Sequence, residues 1–307
     1  MTTLKAPFPY TGGKSMVADT VWRALGDVST YVEPFAGSCA VLLARPHAPT
    51  SGLEVINDAN GYVANCWRAI QQHPDDVARH ADIPPNENQL HAVHRWLWER
   101  RDQLQAQLES DPDWCDPKIA GWWLWGMANF FTGAWCVREK PNRCKILVNT
   151  HGIQGHTSDP HLWMEELQDR MRRVKVLCGD FKRALTPSVV GNYPDKPGPI
   201  AGVFLDPPYD GGDTRVYGSQ DSASIFQDAL EWALANASPT VRVVLAGYDS
   251  RTMPDGWREL AWKGHGGHGR RKENKGNTNK ERERLWLSPS CLNPESQPTS
   301  LDELLGL

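Results

Sequence analysis

The chain has 307 residues, of which 40% are hydrophobic and 23% charged, so it can bury the core of one or two domains. A formal net charge of −4 gives no global signature of a polyanion binder, and no apolar run approaches membrane-spanning length. Seven cysteines without a CxxC pair, and no secretory leader, predict a reducing, cytoplasmic setting rather than a disulfide scaffold.

Pro7-Phe8-Pro9-Tyr10-Thr11-Gly12-Gly13-Lys14 comes first. Two glycines permit close backbone approach or positive φ. Val17, Val21, Trp22 and Leu25 then carry helical spacing. A Gly-Gly-Lys turn entering a helix can hold an anion or carboxylate on its backbone N–H groups. The GxxxxGK[ST] spacing of a P-loop is absent.

Tyr31-Val32-Glu33-Pro34-Phe35-Ala36-Gly37-Ser38-Cys39-Ala40-Val41 reads as a short strand, a tight small-residue loop and a helix start. Such a strand–loop–helix turn suits a nucleotide. Leu53 to Ile56 is predicted as a second strand ending at Asn57-Asp58. An acid there, about 20 residues past the glycine turn, stands where doubly wound folds hold a ribose hydroxyl. The alternative for Asp58 is to cap the helix predicted over 61–70.

From about residue 65 to 174 helices dominate, over 88–108, 117–134 and 161–173. Trp122, Trp123, Trp125, Phe130, Phe131 and Trp135 form an aromatic cluster best read as core, with a stacking surface as the alternative. The polar stretch that follows carries Arg138, Lys140, Arg143 and Lys145, a candidate DNA-contacting loop or else a solvated one. Cys136, Cys144, His151 and His156 match no standard zinc spacing, and no metal is expected.

The α/β rhythm then returns. Val174 to Leu177 is predicted as a strand ending at Cys178-Gly179-Asp180-Phe181. The apolar run Ala201 to Leu205 is a buried strand that stops at Asp206-Pro207-Pro208-Tyr209. Proline cannot donate to a ladder and biases its predecessor away from helix, so the turn is stiff and extended. It presents a carboxylate, a backbone carbonyl and an aromatic face at the rim where open α/β sheets bind ligands. Those groups suit an exocyclic amine on a planar ring. Adenine N6 is a poor nucleophile because its lone pair is delocalised. Acceptors on both N–H bonds, the Asp206 carboxylate and the Pro207 carbonyl, would push the nitrogen toward tetrahedral geometry while Tyr209 stacks on the base. A strand-ending turn with a packed tyrosine is the alternative.

A helix is predicted over 223–235 and a strand over 241–245. Residues 257–263 and 284–287 flank a basic strip as a hairpin would. Lys263 to Arg284 holds eight Lys/Arg against three Glu, with Arg270, Arg271 and Lys272 as the candidate phosphate contacts. A solvated hairpin is the alternative.

Taken in order, PFPYTGGK, VEPFAGSCAV, a helical insert, GDF, DPPY and a terminal NTNKERERLWLSP resemble the Dam-type DNA adenine-N6 methyltransferases over most of residues 6 to 289. The resemblance implies an α/β fold: a Rossmann-like methyltransferase sheet, discontinuous over 1–64 and 175–290, with a mainly helical target-recognition domain inserted at 65–174. Residues 291–307 are expected to be a loose tail. It implies S-adenosylmethionine as cofactor and double-stranded DNA as substrate, with no membrane, no required protein partner and a monomer as the simplest state. Tyr10 and Lys14 match the motif that closes over the cofactor's methionine end. Glu33, Pro34, Phe35, Ala36 and Gly37 match the loop beneath it, and Asp58 the acid on the ribose. Asp180 and Phe181 match the pair at the cofactor adenine. Asp206, Pro207 and Tyr209 match the catalytic turn.

Two departures stand out. The glycine loop of this family ends in a glycine where this chain has Cys39, and its recognition-hairpin pattern has no clean counterpart, so no target sequence is transferred. The implied reaction is direct transfer to the N6 amine of a flipped adenine. No cysteine nucleophile is needed, in keeping with the absence of a Pro-Cys dipeptide. The alternatives are cytosine-N4 methylation, whose enzymes more often carry Ser in the place of Asp206, RNA adenine methylation, and a decayed DNA-binding scaffold. Orphan, phage-borne and restriction–modification roles read alike in sequence.

Overall fold

The computed structural model describes residues 4–10, 12–47, 52–130, 135–137, 139, 153, 157–191, 198–208, 222–249, 252–262 and 282–296. Among these, α1 (Ala18–Leu25) buries Ala18, Val21, Trp22 and Leu25 and stops at Gly26, whose φ of 65° suits glycine. There follow β1 (Thr30–Glu33), the single turn α2 (Ala40–Leu43), β2 (Leu53–Asp58), α3 (Gly61–Gln72) and α4 (Pro74–Ala81). The helices α5 (Glu87–Ser110), α6 (Pro117–Asn129) and α7 (Pro160–Met171) begin at Asn86, Asp116 and Asp159, whose side chains accept from Gln89, Ile119 and Leu162 N–H groups. The chain then returns to β3 (Val174–Cys178), the short α8 (Pro187–Val190), β4 (Ala201–Leu205), α9 (Ser222–Asn236), β5 (Val241–Tyr248), β6 (Arg258–Ala261) and β7 (Glu283–Leu287).

All seven strands form one sheet in the order β3-β2-β1-β4-β5-β7-β6. β1 to β5 are parallel, and β7 is antiparallel to both β5 and β6. Parallel strands covered on both faces need continuous apolar runs, which explains why every residue of β4 is buried. The order reverses between β1 and β4, so a crevice opens at their carboxyl ends. This is the α/β, Rossmann-like methyltransferase arrangement that the motifs imply.

The helices of the middle stretch pack into the same core as one face of the sheet, with Ile56, Trp67, Trp123 and Leu167 in one cluster. The aromatic cluster is largely core. Among its described residues, Trp123 and Trp125 are fully buried, Phe130 and Trp135 nearly so, and Trp122 is half-buried. Gly121 has no room for a side chain, because a Cβ there would collide with His80 and the Val77 carbonyl of α4. From α3, the buried Arg68 donates to the carbonyls of Leu108, Asp111 and Trp114 and to that of Val176 in β3. One guanidinium thus joins the helical stretch to the sheet. The boundary expected at 64/65 falls inside α3 and that at 174/175 inside β3.

At the start of the stretch expected to be a loose tail, Cys291 and Pro294 are buried, Leu292 N donates to Ala24 O, and Arg258 donates to the carbonyls of Cys291 and Leu292. Among the described residues no helix is long and apolar enough to cross a membrane.

Candidate active site

The glycine loop after β1 is shaped by Tyr10. A Cβ on Gly37, which has φ 46°, would lie 2.6 Å from the Tyr10 ring, so only glycine lets that ring cover the loop. Cys39 also adopts the left-handed region, with φ 53°, at the start of α2. For a residue with a Cβ this costs roughly 1–2 kcal/mol, which the glycine usual at this position would avoid. Its side chain is fully buried in the core, and burial holds the thiol well above its ordinary pKa.

Asp58, at the tip of β2, ties this loop in place. Its Oδ2 accepts Gly37 N–H and its Oδ1 accepts Asn60 N–H, each at 2.8 Å. Burial pushes the carboxyl up to about 6, opposed by those two donors. The helix-capping alternative is set aside, because the cap of α3 is Asn60, which accepts from Tyr62 N at 3.0 Å. The neighbouring Asn57, which sequence reasoning passed over, donates to the carbonyls of Pro34 and Gly179 and so clamps the ends of three strands.

Glu33 is buried at the end of β1. It accepts from the Tyr31 hydroxyl at 3.0 Å and from Leu42 N at 3.3 Å. Burial, with a smaller contribution from Asp206, pushes it up to about 8. A carboxyl whose folded pKa lies above its unfolded one binds its proton more tightly when folded, so the stability it contributes is lost as pH rises. The protein should therefore lose stability between pH 4.5, the ordinary value, and about 8. Glu33→Gln should flatten that loss and raise the melting temperature at pH 8 by several degrees. Thermal melts followed by circular dichroism across this range check it. A wild-type melting temperature that does not fall over the window would refute the assignment.

Asp206 leaves the end of β4 and meets Lys14 from the N-terminal turn, with Nζ 2.8 Å from Oδ1. Lys14 is buried, and its ammonium also donates to Gly12 O at 2.7 Å. Tyr10, Lys14, Glu33, Phe35, Asp58 and Asp206 line one cleft. It lies at the carboxyl ends of β1, β2 and β4, beside the point where the strand order reverses.

Residues 10–109 match the family model for D12 class N6 adenine-specific DNA methyltransferases. The match indicates DNA adenine-N6 methyltransferase activity, and over those residues the resemblance to the Dam-type family holds. It covers Tyr10, Lys14, the glycine loop and Asp58, while the Asp206 turn lies beyond it and reaches the cleft through β4. No curated protein matches the chain.

The remaining expected site residues distribute as follows. Pro34 contributes its carbonyl to Asn57, Ala36 and Pro208 line the cleft, and Pro207 and Pro208 are both buried. Phe181 stacks on Phe35, with centroids 4.9 Å apart. Asp180 is exposed and caps the 3-10 turn Phe181–Leu185 through Lys182 N. Tyr209, Arg138, Lys140, Arg143, Lys145, Arg270, Arg271 and Lys272 lie outside the described residues, as do Phe131, Cys144, His151 and His156.

Proposed function

We propose that this protein transfers a methyl group from S-adenosylmethionine to the N6 amine of an adenine flipped out of duplex DNA, in the cytoplasm. The observation that carries the reading is the position of Asp206, whose Pro-Pro turn opens on the same cleft as the glycine loop and Asp58. The cleft residues fit the cofactor. Glu33 is a buried carboxyl that a nearby cation would help to ionise, Asp58 is a half-buried acid suited to hydroxyl groups, Gly37 lets the Tyr10 ring close over the loop, and Phe35 offers an aromatic face. When bound, the cofactor supplies an electrophilic methyl group on a sulfonium sulfur.

The protein's own work is then positioning. Asp206 and the Pro207 carbonyl accept the two N6–H bonds and aim the lone pair. One Asp206 oxygen already meets Lys14, so the amine and that ammonium draw on the same carboxylate. Alignment of two reactants is among the largest rate effects available to a site. The nitrogen proton is acidic only once nitrogen carries the new methyl, so Asp206 can take it without being a strong base. Tyr209 is assigned to stack on the base, and Asp180 with Phe181 to the cofactor adenine.

The test is incubation with tritiated S-adenosylmethionine and unmethylated duplex DNA, followed by nucleoside analysis. Label in N6-methyladenine supports the reading. Label in N4-methylcytosine, or none in any duplex, overturns it.

A further inference from the structure

Glu283 opens β7 at the rim of the site. β7 runs antiparallel to β5, so its first residue lies where the parallel strands end: Glu283 pairs with Tyr248, and Leu285 with Ala246. Ala246 follows Leu245, which pairs with Leu205, the residue before Asp206. β6 ends at the same rim, and just beyond it Trp262 N donates to Glu283 O at 3.2 Å. The Trp262 ring lies 5.7 Å from Lys14 Nζ. Side chains alternate along a strand, so Glu283 faces away from its neighbours Arg282 and Arg284. Those two are paired with Asp249 and Glu259.

Two buried polar atoms here lack a hydrogen-bond partner among the described residues: Glu283 Oε2 and Trp262 Nε1. An unmet buried acceptor is destabilising, so a folded protein that retains one calls for an explanation. The charges of Lys14 and Asp206 bear on Glu283. Burial is the main force raising its pKa, Lys14 draws it down and Asp206 pushes it up. Glu33, the other carboxylate that feels Asp206, already holds Tyr31 and Leu42 on its Oε2.

We propose that Glu283 is a positioning residue for methyl transfer, the second carboxylate to which Lys14 turns when Asp206 takes the amine of the target base. The proposal rests on Asp206 being the amine acceptor. Lysine suits the task, because its ammonium has three rotatable donors on a flexible four-carbon stem. With Glu283 present, Lys14 keeps a counter-charge as it shifts off Asp206. Without it, Lys14 stays on Asp206 and competes with the substrate amine for the same oxygens. Lys14 remains protonated throughout and no bond is made or broken at Glu283.

The experiment is steady-state methylation of duplex DNA by wild type, Glu283→Gln, Glu283→Asp, Lys14→Met and the Lys14→Met/Glu283→Gln double variant, with cofactor binding measured by calorimetry. Glu283→Gln should lower kcat about 10- to 100-fold while cofactor Kd and DNA KM stay within about twofold. Glu283→Asp should recover most of the rate. The double variant should be no slower than Lys14→Met alone, because Glu283 acts only through Lys14. A Glu283→Gln enzyme with wild-type kcat, or losses that multiply in the double variant, overturns the proposal alone. A wild-type protein that transfers no methyl group overturns the Asp206 reading and this proposal with it.

Discussion

Asp206→Ala abolishes methyl transfer, with kcat expected to fall by about 10³-fold or more while cofactor affinity changes only a few-fold. The split follows from where the carboxylate sits. It pairs with Lys14, at 2.8 Å, whereas the loop-holding bonds of the cleft belong to Asp58, Glu33 and Asn57. Removing Asp206 therefore takes away the amine's acceptor and leaves the glycine loop standing. It also leaves the buried Lys14 ammonium without its nearest counter-charge, which costs stability. Asp206→Asn separates the two effects. It preserves shape and one carbonyl acceptor, so it should retain more activity than the alanine variant, though its amide NH₂ cannot pair with Lys14. Calorimetry for the cofactor, with tritium transfer for the reaction, measures both halves. If cofactor binding disappears together with activity, the Asp-Pro-Pro turn belongs to the cofactor half of the cleft and not to the amine.

The strand before that turn was the most legible element of the chain. Ala201 to Leu205 is a continuous apolar run closed by two prolines, and β4 has those bounds. Polar strand tips were harder. β2 runs on through Asn57 and Asp58 because their backbones pair with Leu177 and Cys178, although both residue types favour turns. Apolar density also hides a stop: the helix expected to reach residue 134 ends at Asn129, where Phe130 turns extended. α4 went unread although its start carries ordinary signals, Pro74 at the first turn and Asp75 and Asp76 after it. At the site, each motif announced its residue type but not its partner. Lys14 was read as a cofactor residue, and its bond to Asp206 depends on the packing of the N-terminal turn against β4. Glu283 was one acid in a basic strip, and only the antiparallel pairing of β7 with β5 carries it to the rim of the site. Such long-range pairings are fixed by tertiary packing, which local pattern does not record.

Asp58→Ala should act in the opposite sense to Asp206→Ala, weakening cofactor binding about 10- to 100-fold before it touches the chemical step. Both carboxylate oxygens accept a backbone N–H, one from Gly37 and one from Asn60. Alanine leaves both donors unmet, at about 1–3 kcal/mol for each that stays buried, and frees the glycine loop from the tip of β2. Asp58→Asn keeps one acceptor and turns an amide NH₂ toward the other donor, so it should fall between wild type and alanine. The carboxyl is pushed up to about 6, and the ionised form is the one that accepts both loop N–H groups. Wild-type cofactor affinity should therefore fall as pH drops through about 6, and the Asn variant should lack that fall. Calorimetric titrations of the three proteins from pH 5 to about 7.5 would read both effects. An unchanged Kd in Asp58→Ala, with a lowered melting temperature, would make Asp58 a tether for the loop and nothing more. A weakened Kd with a pH-dependent wild type and a flat Asn variant would show that cofactor affinity depends on the ionised carboxylate at the tip of the second strand, the position where doubly wound folds hold a ribose.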